Sequence, residues 1–240
     1  MLDQQKENEA LTILLFSIFS YQNLQRMNAV QLKRKLKSAS ELPEELNIRL
    51  HRSISWLACA EKYAEDIDLY FLNQWIAFNA CYALDMHAQE QKTEREKFRL
   101  FIQNLIKHDG EQRIFNILWE KFSGPVRILI QNKFIFRTFW DHKRGEVADW
   151  KKAFDKSNEE ASKHLAKKNV AGLLEILLDR LYILRNQLMH GGATHNSKIN
   201  RRQVKDGAKI LEMLIPIIIE IMMQHPEEDW GRLLFPVINE

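Results

Sequence analysis

Three side chains near the end of one apolar run could do chemistry together. Arg185, Asn186 and His190 stand in the stretch Leu184-Arg185-Asn186-Gln187-Leu188-Met189-His190-Gly191-Gly192. Arginine offers a flat, permanently charged fork matched to phosphate oxygens. Histidine gains and loses a proton near neutral pH, which suits it to general acid–base work. An amide beside them can orient either partner. At about 100° per residue, Asn186 and His190 fall roughly 40° apart on one helix face, whereas Arg185 and His190 are about 140° apart. For Arg185 and His190 to meet on one phosphate, the helix must unwind near its end or a second copy must complete the site. The plainer alternative is an arginine capping helix carbonyls and a histidine satisfied in the core.

The element that must position this set precedes it. Leu173, Leu174, Ile176, Leu177, Leu178, Leu181 and Leu184 recur at helical spacing, so an amphipathic helix is expected from about Asn169. Gly191-Gly192 should stop it, because glycine accepts the left-handed conformation a helix end needs. A second stretch, residues 68–82, carries Asp68, Leu72, Trp75 and Asn79 on one helical stripe. Asn79 is then a polar group on an apolar face, expected to brace a neighbouring backbone or to support Arg185 and His190. Asp68 is expected either to pair with Arg185 or to cap its helix.

Arg-Asn-Gln-Leu-Met-His followed by glycine resembles the R-N-x-x-x-H signature of the HEPN superfamily, and Trp75-Ile76-Ala77-Phe78-Asn79-Ala80 is similar to a helix of bacterial HEPN proteins. The resemblance implies an all-α helical bundle over residues 43–225; residues 1–42 lie outside it and read as an N-terminal helical extension, and Trp230 and Phe235 suggest that the tail (226–240) packs back. It implies a metal-independent endoribonuclease that leaves a 2′,3′-cyclic phosphate, with Arg185, Asn186 and His190 catalytic and two motifs facing each other across a homodimer. Toxin–antitoxin or anti-phage roles, with an antitoxin or regulatory protein as a further partner, also follow from the resemblance alone. A non-catalytic HEPN-like scaffold or RNA-binding module is the competing reading.

Composition sets wide bounds. The 240 residues are 45% hydrophobic and 28% charged, with only 8 Gly and 5 Pro, as expected of a helix-rich globular chain. A net charge of +3 does not announce nucleic-acid binding, so any basic surface must be local. Cys59 and Cys81 sit in apolar helical patterns, as buried thiols of a reducing compartment do. No secretory signal or spanning run is visible, and a cytoplasmic location is expected. There is no P-loop, H-E-x-x-H or G-x-S-x-G, and no paired-histidine spacing, so no metal site and no cofactor are expected.

Along the chain, residues 5–37 read as a helix with a basic end, Pro43-Glu44-Glu45 opens a second helix, and Thr93 to Glu96 has a capping-box pattern. Residues 126–140 read as helix plus irregular connection. Phe134, Phe136, Phe139, Trp140 and Trp150 are interleaved there with Lys133, Arg137, His142, Lys143 and Arg144, as a single-stranded RNA platform or a core-covering loop would be. Residues 149–166 read as an exposed charged helix. Beyond the glycines, Asn200 is an N-cap candidate, and His195, Arg201 and Arg202 are candidate RNA contacts. The last long helix, with Ile210, Leu211, Leu214, Ile217, Ile218 and Ile221, is apolar over a wide arc, which suggests burial in the bundle or at a dimer interface.

Overall fold

The computed structural model describes residues 27–39, 41–82, 94–121 and 123–238. The first 26 residues and the Thr93 capping box therefore lie outside the described residues. Everything regular that is described is helical, with no β-strand among the described residues.

The first helix described, α1 (Ala29–Ser38), starts at a capping box in which Asn28 and Gln31 each accept from the other's backbone N–H. Its Ala29 and Leu32 enter the main core, and Lys35 is paired with Glu220. The second, α2 (Glu44–Lys62), begins at Pro43 with Glu44 and Glu45 in its first turn, where the helix dipole favours acids. It lies along α3 (Ile67–Tyr82), seamed by the Ser53 hydroxyl donating to Ala77 O at 2.8 Å. Here α3 is a core helix, with Phe71, Trp75 and Phe78 buried between α2 and the helices of the second half.

The middle of the chain is broken into shorter pieces. Helix α4 (Glu94–His108) ends at Asp109, whose carboxylate accepts the N–H groups of Arg113 and Ile114 and so starts the next turn. That turn, α5 (Arg113–Asn116), widens into a π turn (Ile117–Lys121) before α6 (Ser123–Ile130). A 3₁₀ turn (Lys133–Ile135) and α7 (Arg137–Lys143) follow, in line with helix plus irregular connection over 126–140. The aromatic residues of this segment form a small edge-to-face cluster, with Phe134, Trp140 and Trp150 each edge-on to Phe139 and with Phe136 and Phe139 buried. Lys133 and Lys143 lie over rings of this cluster, while Phe134 and Trp140 stay exposed.

Three long helices complete the bundle: α8 (Lys151–Ala166), α9 (Val170–Met189) and α10 (Arg201–Gln224). Asn169 caps α9 by accepting from Gly172 N–H at 3.0 Å, where the sequence places the start. Helix α10 is central. Ile210, Leu211, Leu214, Ile215, Ile218 and Ile221 are all buried within the single chain. Its wide apolar arc is therefore taken up by the monomer's own core and does not require a second subunit. Gly207 lets α10 come close, because an added Cβ would lie 2.9 Å from Leu181 Cδ2 and 3.1 Å from Phe71 Cε2. Pro216 is accommodated inside α10.

The tail returns over α2. Arg49, only 1% exposed, donates to Cys81 O, Gly231 O and Arg232 O, and Trp230 and Leu233 are buried. Beyond them the Phe235, Val237 and Ile238 side chains are exposed, with Phe235 O accepting from Arg52 Nη1 at 2.7 Å.

Candidate functional site at the end of α9

Helix α9 is regular through Met189 and does not unwind before its end. Its termination is a complete Schellman motif: Gly192 N–H donates to Gln187 O at 2.7 Å, Gly191 N–H to Leu188 O at 3.3 Å, and Gly191 has φ of 69°. His190 is the residue at the cap, with its N–H on Asn186 O at 3.0 Å. Its side chain is exposed and makes no hydrogen bond to the described residues. One turn back, Arg185 Nη1 donates to Asn186 Oδ1 at 2.8 Å, and both side chains are half-buried. With helical geometry kept to the end, Arg185 and His190 stay about 140° apart around one helix. A single chain does not bring them onto one atom by unwinding.

A residue not singled out in the sequence holds this end in place. Gln187 Nε2 donates to Phe134 O at 2.6 Å, and its Oε1 accepts from Asn200 Nδ2 at 3.2 Å. The end of α9 is thus tied both to the 3₁₀ turn and to the start of α10. Asn200 sits at the expected N-cap position of α10, yet with φ of 61° its side chain turns to Gln187 instead of capping.

The loop between α9 and α10 is fastened to the start of α3 through two aspartates. Asp66 Oδ1 accepts the N–H groups of Asp68 and Leu69, which opens α3, while Asp66 Oδ2 lies 2.6 Å from His195 Nε2. The Leu69 N–H and then the His195 ring hold the Asp66 carboxyl below its ordinary range. Asp68 is 5% exposed and accepts Arg201 Nη1 at 2.9 Å, Arg201 Nη2 at 3.0 Å and Asn196 N–H at 2.8 Å. Asp68 therefore pairs with Arg201 and not with Arg185. The reason is topological: α3 starts beside the α9–α10 loop, so the nearest cation is the one opening α10.

Two further expectations change. Arg201 was a candidate RNA contact, but its guanidinium is committed to Asp68 and to Ser197 O at 3.0 Å, which makes it a clamp. Arg202 remains well exposed, 3.8 Å from Asp206 one turn on. Asn79 is exposed, not buried, and lies eleven residues after Asp68 on a helix that runs away from the tip. At 1.5 Å per residue it is about 16 Å farther along, out of reach of Arg185 and His190.

Asp66, Asp68 and His195 also offer one potential metal-ligand atom each, all within 4.8 Å of one another. No metal spacing was visible in the sequence because these residues are brought together across some 130 positions. The three could hold a cation only at a cost. Both Asp68 oxygens already serve a guanidinium and an N–H, and the site faces the positive end of α3. The donor set suits an ion pair better than a divalent ion.

Among the described residues no helix is long and apolar enough to cross a membrane. Comparison of the chain with protein-family models, with curated proteins and with solved structures gives no match.

Proposed function

We propose that this protein is an endoribonuclease of HEPN type, acting without a metal through the Arg185, Asn186 and His190 set. The observation that carries the reading is the exposed His190 imidazole, without a hydrogen bond among the described residues, on a backbone fixed at the helix cap one turn from the Arg185–Asn186 pair. RNA brings its own nucleophile. His190 takes the proton of a 2′-hydroxyl as that oxygen bonds to phosphorus, the P–O5′ bond breaks, and a proton is delivered to the departing 5′-oxygen. The products are a 2′,3′-cyclic phosphate and a 5′-hydroxyl. Arg185 stabilises charge on the non-bridging oxygens, and Asn186 orients its fork. Because α9 keeps helical geometry to its end, His190 of a second copy completes the site. Met189, 51% exposed, and Ile199, 75% exposed, flank the motif and would be covered in such a pair.

One observation favours a second reading, a non-catalytic RNA-binding or scaffold module: the Arg185 fork already has an acceptor on its own helix. Cleavage of RNA in EDTA by the purified protein separates the two. The nuclease reading expects His190→Ala to cut about a hundredfold more slowly in single turnover, with RNA binding nearly intact. Equal rates for parent and variant would leave only the scaffold.

A further inference from the structure

Two turns before the motif, α9 forms one wall of a cleft of about 530 Å³, within the range of small-ligand sites. Trp75 and Tyr82 of α3, Phe98 of α4 and Tyr182 of α9 supply aromatic walls, and Arg137 and Arg180 supply charge. Tyr82, Phe98 and Tyr182 are half-buried, with Tyr82 and Phe98 edge-on to each other, their ring centres 5.0 Å apart.

Arg180 is the unusual member. It is 4% exposed, yet among the described residues no carboxylate lies within ion-pair distance of it. Two of its five N–H groups are committed, Nε to Ile130 O at 3.1 Å and Nη2 to the Ser157 hydroxyl at 2.9 Å. Its guanidinium lies over Phe136, 4.5 Å from the ring centre. Burial lowers its pKa to about 10, against a smaller opposing pull from Asp179, so it remains a cation at neutral pH. A buried cation with no carboxylate in direct contact is costly, and an anion that fits beside it recovers part of that cost. Arg137 is exposed at the cleft, with its guanidinium 5.6 Å from the Tyr182 ring centre. Two guanidinium groups against the one carboxylate of Asp179 leave the described lining residues with a net charge of +1.

We propose that this cleft binds a nucleotide, its base against the rings of Tyr82, Phe98 and Tyr182 and its phosphate on Arg180 and Arg137. Ring faces accept any base by stacking, and guanidinium forks accept phosphate oxygens in pairs. The site uses none of Arg185, Asn186 or His190, so it goes beyond the cleavage reading and does not depend on it. The nucleotide comes either free in solution or as one unit of an RNA strand lying along α9 toward the motif.

The test is calorimetric titration of the full chain with the four 5′-mononucleotides and with a 2′-O-methyl pentanucleotide, which cannot be cleaved through its 2′-oxygen. The expected result is binding of at least one of them with Kd below about 1 mM. Tyr182→Leu and Arg137→Ala should each weaken it about five- to twentyfold. Lys143→Ala, whose cation lies over Phe139, should bind like the parent, and His190→Ala should bind the mononucleotides like the parent. Arg137 is exposed, so its variant keeps the fold even if Tyr182→Leu does not, and thermal melts check both. Binding of mononucleotides assigns a free ligand, and binding of the pentanucleotide alone assigns a strand. No binding of any of the five at several millimolar, or binding indifferent to Arg137→Ala and to a folded Tyr182→Leu, overturns the proposal. Loss of RNA cleavage in His190→Ala with nucleotide binding intact keeps the two sites distinct.

Discussion

Replacing Asp68 by asparagine removes one charge from the clamp that holds the α9–α10 loop. The native carboxylate is 5% exposed and accepts three hydrogen bonds of 2.8 to 3.0 Å, two of them from one guanidinium. Breaking a buried pair by removing one partner costs about 3–5 kcal/mol. Arg201 keeps 29% of its side chain in solvent and can rehydrate in part, which brings the expected loss to about 2–3 kcal/mol. For a chain of this size that corresponds to a melting temperature lower by about 4–12 °C. Urea unfolding of Asp68→Asn, Arg201→Met and the double variant measures it. The double-mutant cycle should return a coupling of about 1.5 kcal/mol or more. Single variants within about 0.5 kcal/mol of the parent, with no coupling, would mean that the loop is held by something other than this pair. If the protein cleaves RNA as proposed and the clamp also aims His190, Asp68→Asn should slow that cleavage beyond what its stability loss explains at 25 °C.

Gly207→Ala puts a methyl against Leu181 and Phe71, an overpacking cost of about 1–3 kcal/mol that the better helix propensity of alanine, about 1 kcal/mol, offsets only in part. A higher unfolding midpoint in the variant would refute the close-approach argument. Glu228 is held at about 2 by hydrogen bonds from His108 first and Lys107 second, with part of its side chain in solvent. A lowered carboxyl pKa contributes stability that is present above the unfolded value near 4.5 and is lost as pH falls through about 2. The stability gap between parent and Glu228→Gln should therefore be open at pH 6 and close between about pH 4.5 and 2; a gap constant across that window argues against the ion pair. Cys81 is fully buried and its thiol is pushed up to about 11 by desolvation, so iodoacetamide at pH 8 should label Cys59 and spare Cys81 until the protein is unfolded in urea. Equal labelling of the two in the folded protein would contradict the packing of α2 on α3.

Local signals in the chain carried far. The asparagine at the head of α9, the glycines at its foot, the proline before α2 and the apolar arc of α10 each act within a turn or two of where they stand, so spacing reveals them. What spacing could not reveal is distance in space. Asp66 meets His195 across 129 positions, and Asp68 meets Arg201 across 133. No periodicity links such pairs, and a short aspartate reads equally well as a cap. Asn79 misled for another reason. Helix α3 is apolar on most of its faces, so the stripe it shares with Trp75 does not tell inside from outside, and Trp75 is buried while Asn79 is exposed. The wide arc of α10 pointed to burial correctly but left open what would cover it; in the folded chain α3, α9 and the shorter helices do. Arg185, Asn186 and His190 could be read together because they share one helix, while the Gln187 braces were hidden because both partners lie on other elements.

Arg49 sets an order of events during synthesis. Two of its acceptors, Gly231 O and Arg232 O, are made 182 and 183 residues after it. At about 5–20 residues per second, the guanidinium waits roughly 10–35 s before they exist. Burying that charge earlier would leave N–H groups without acceptors, which desolvation penalises. The α2–α3 seam can form as soon as its own residues emerge, but its outer end stays hydrated until the tail arrives. Closing that end therefore waits until the chain has been translated through Arg232.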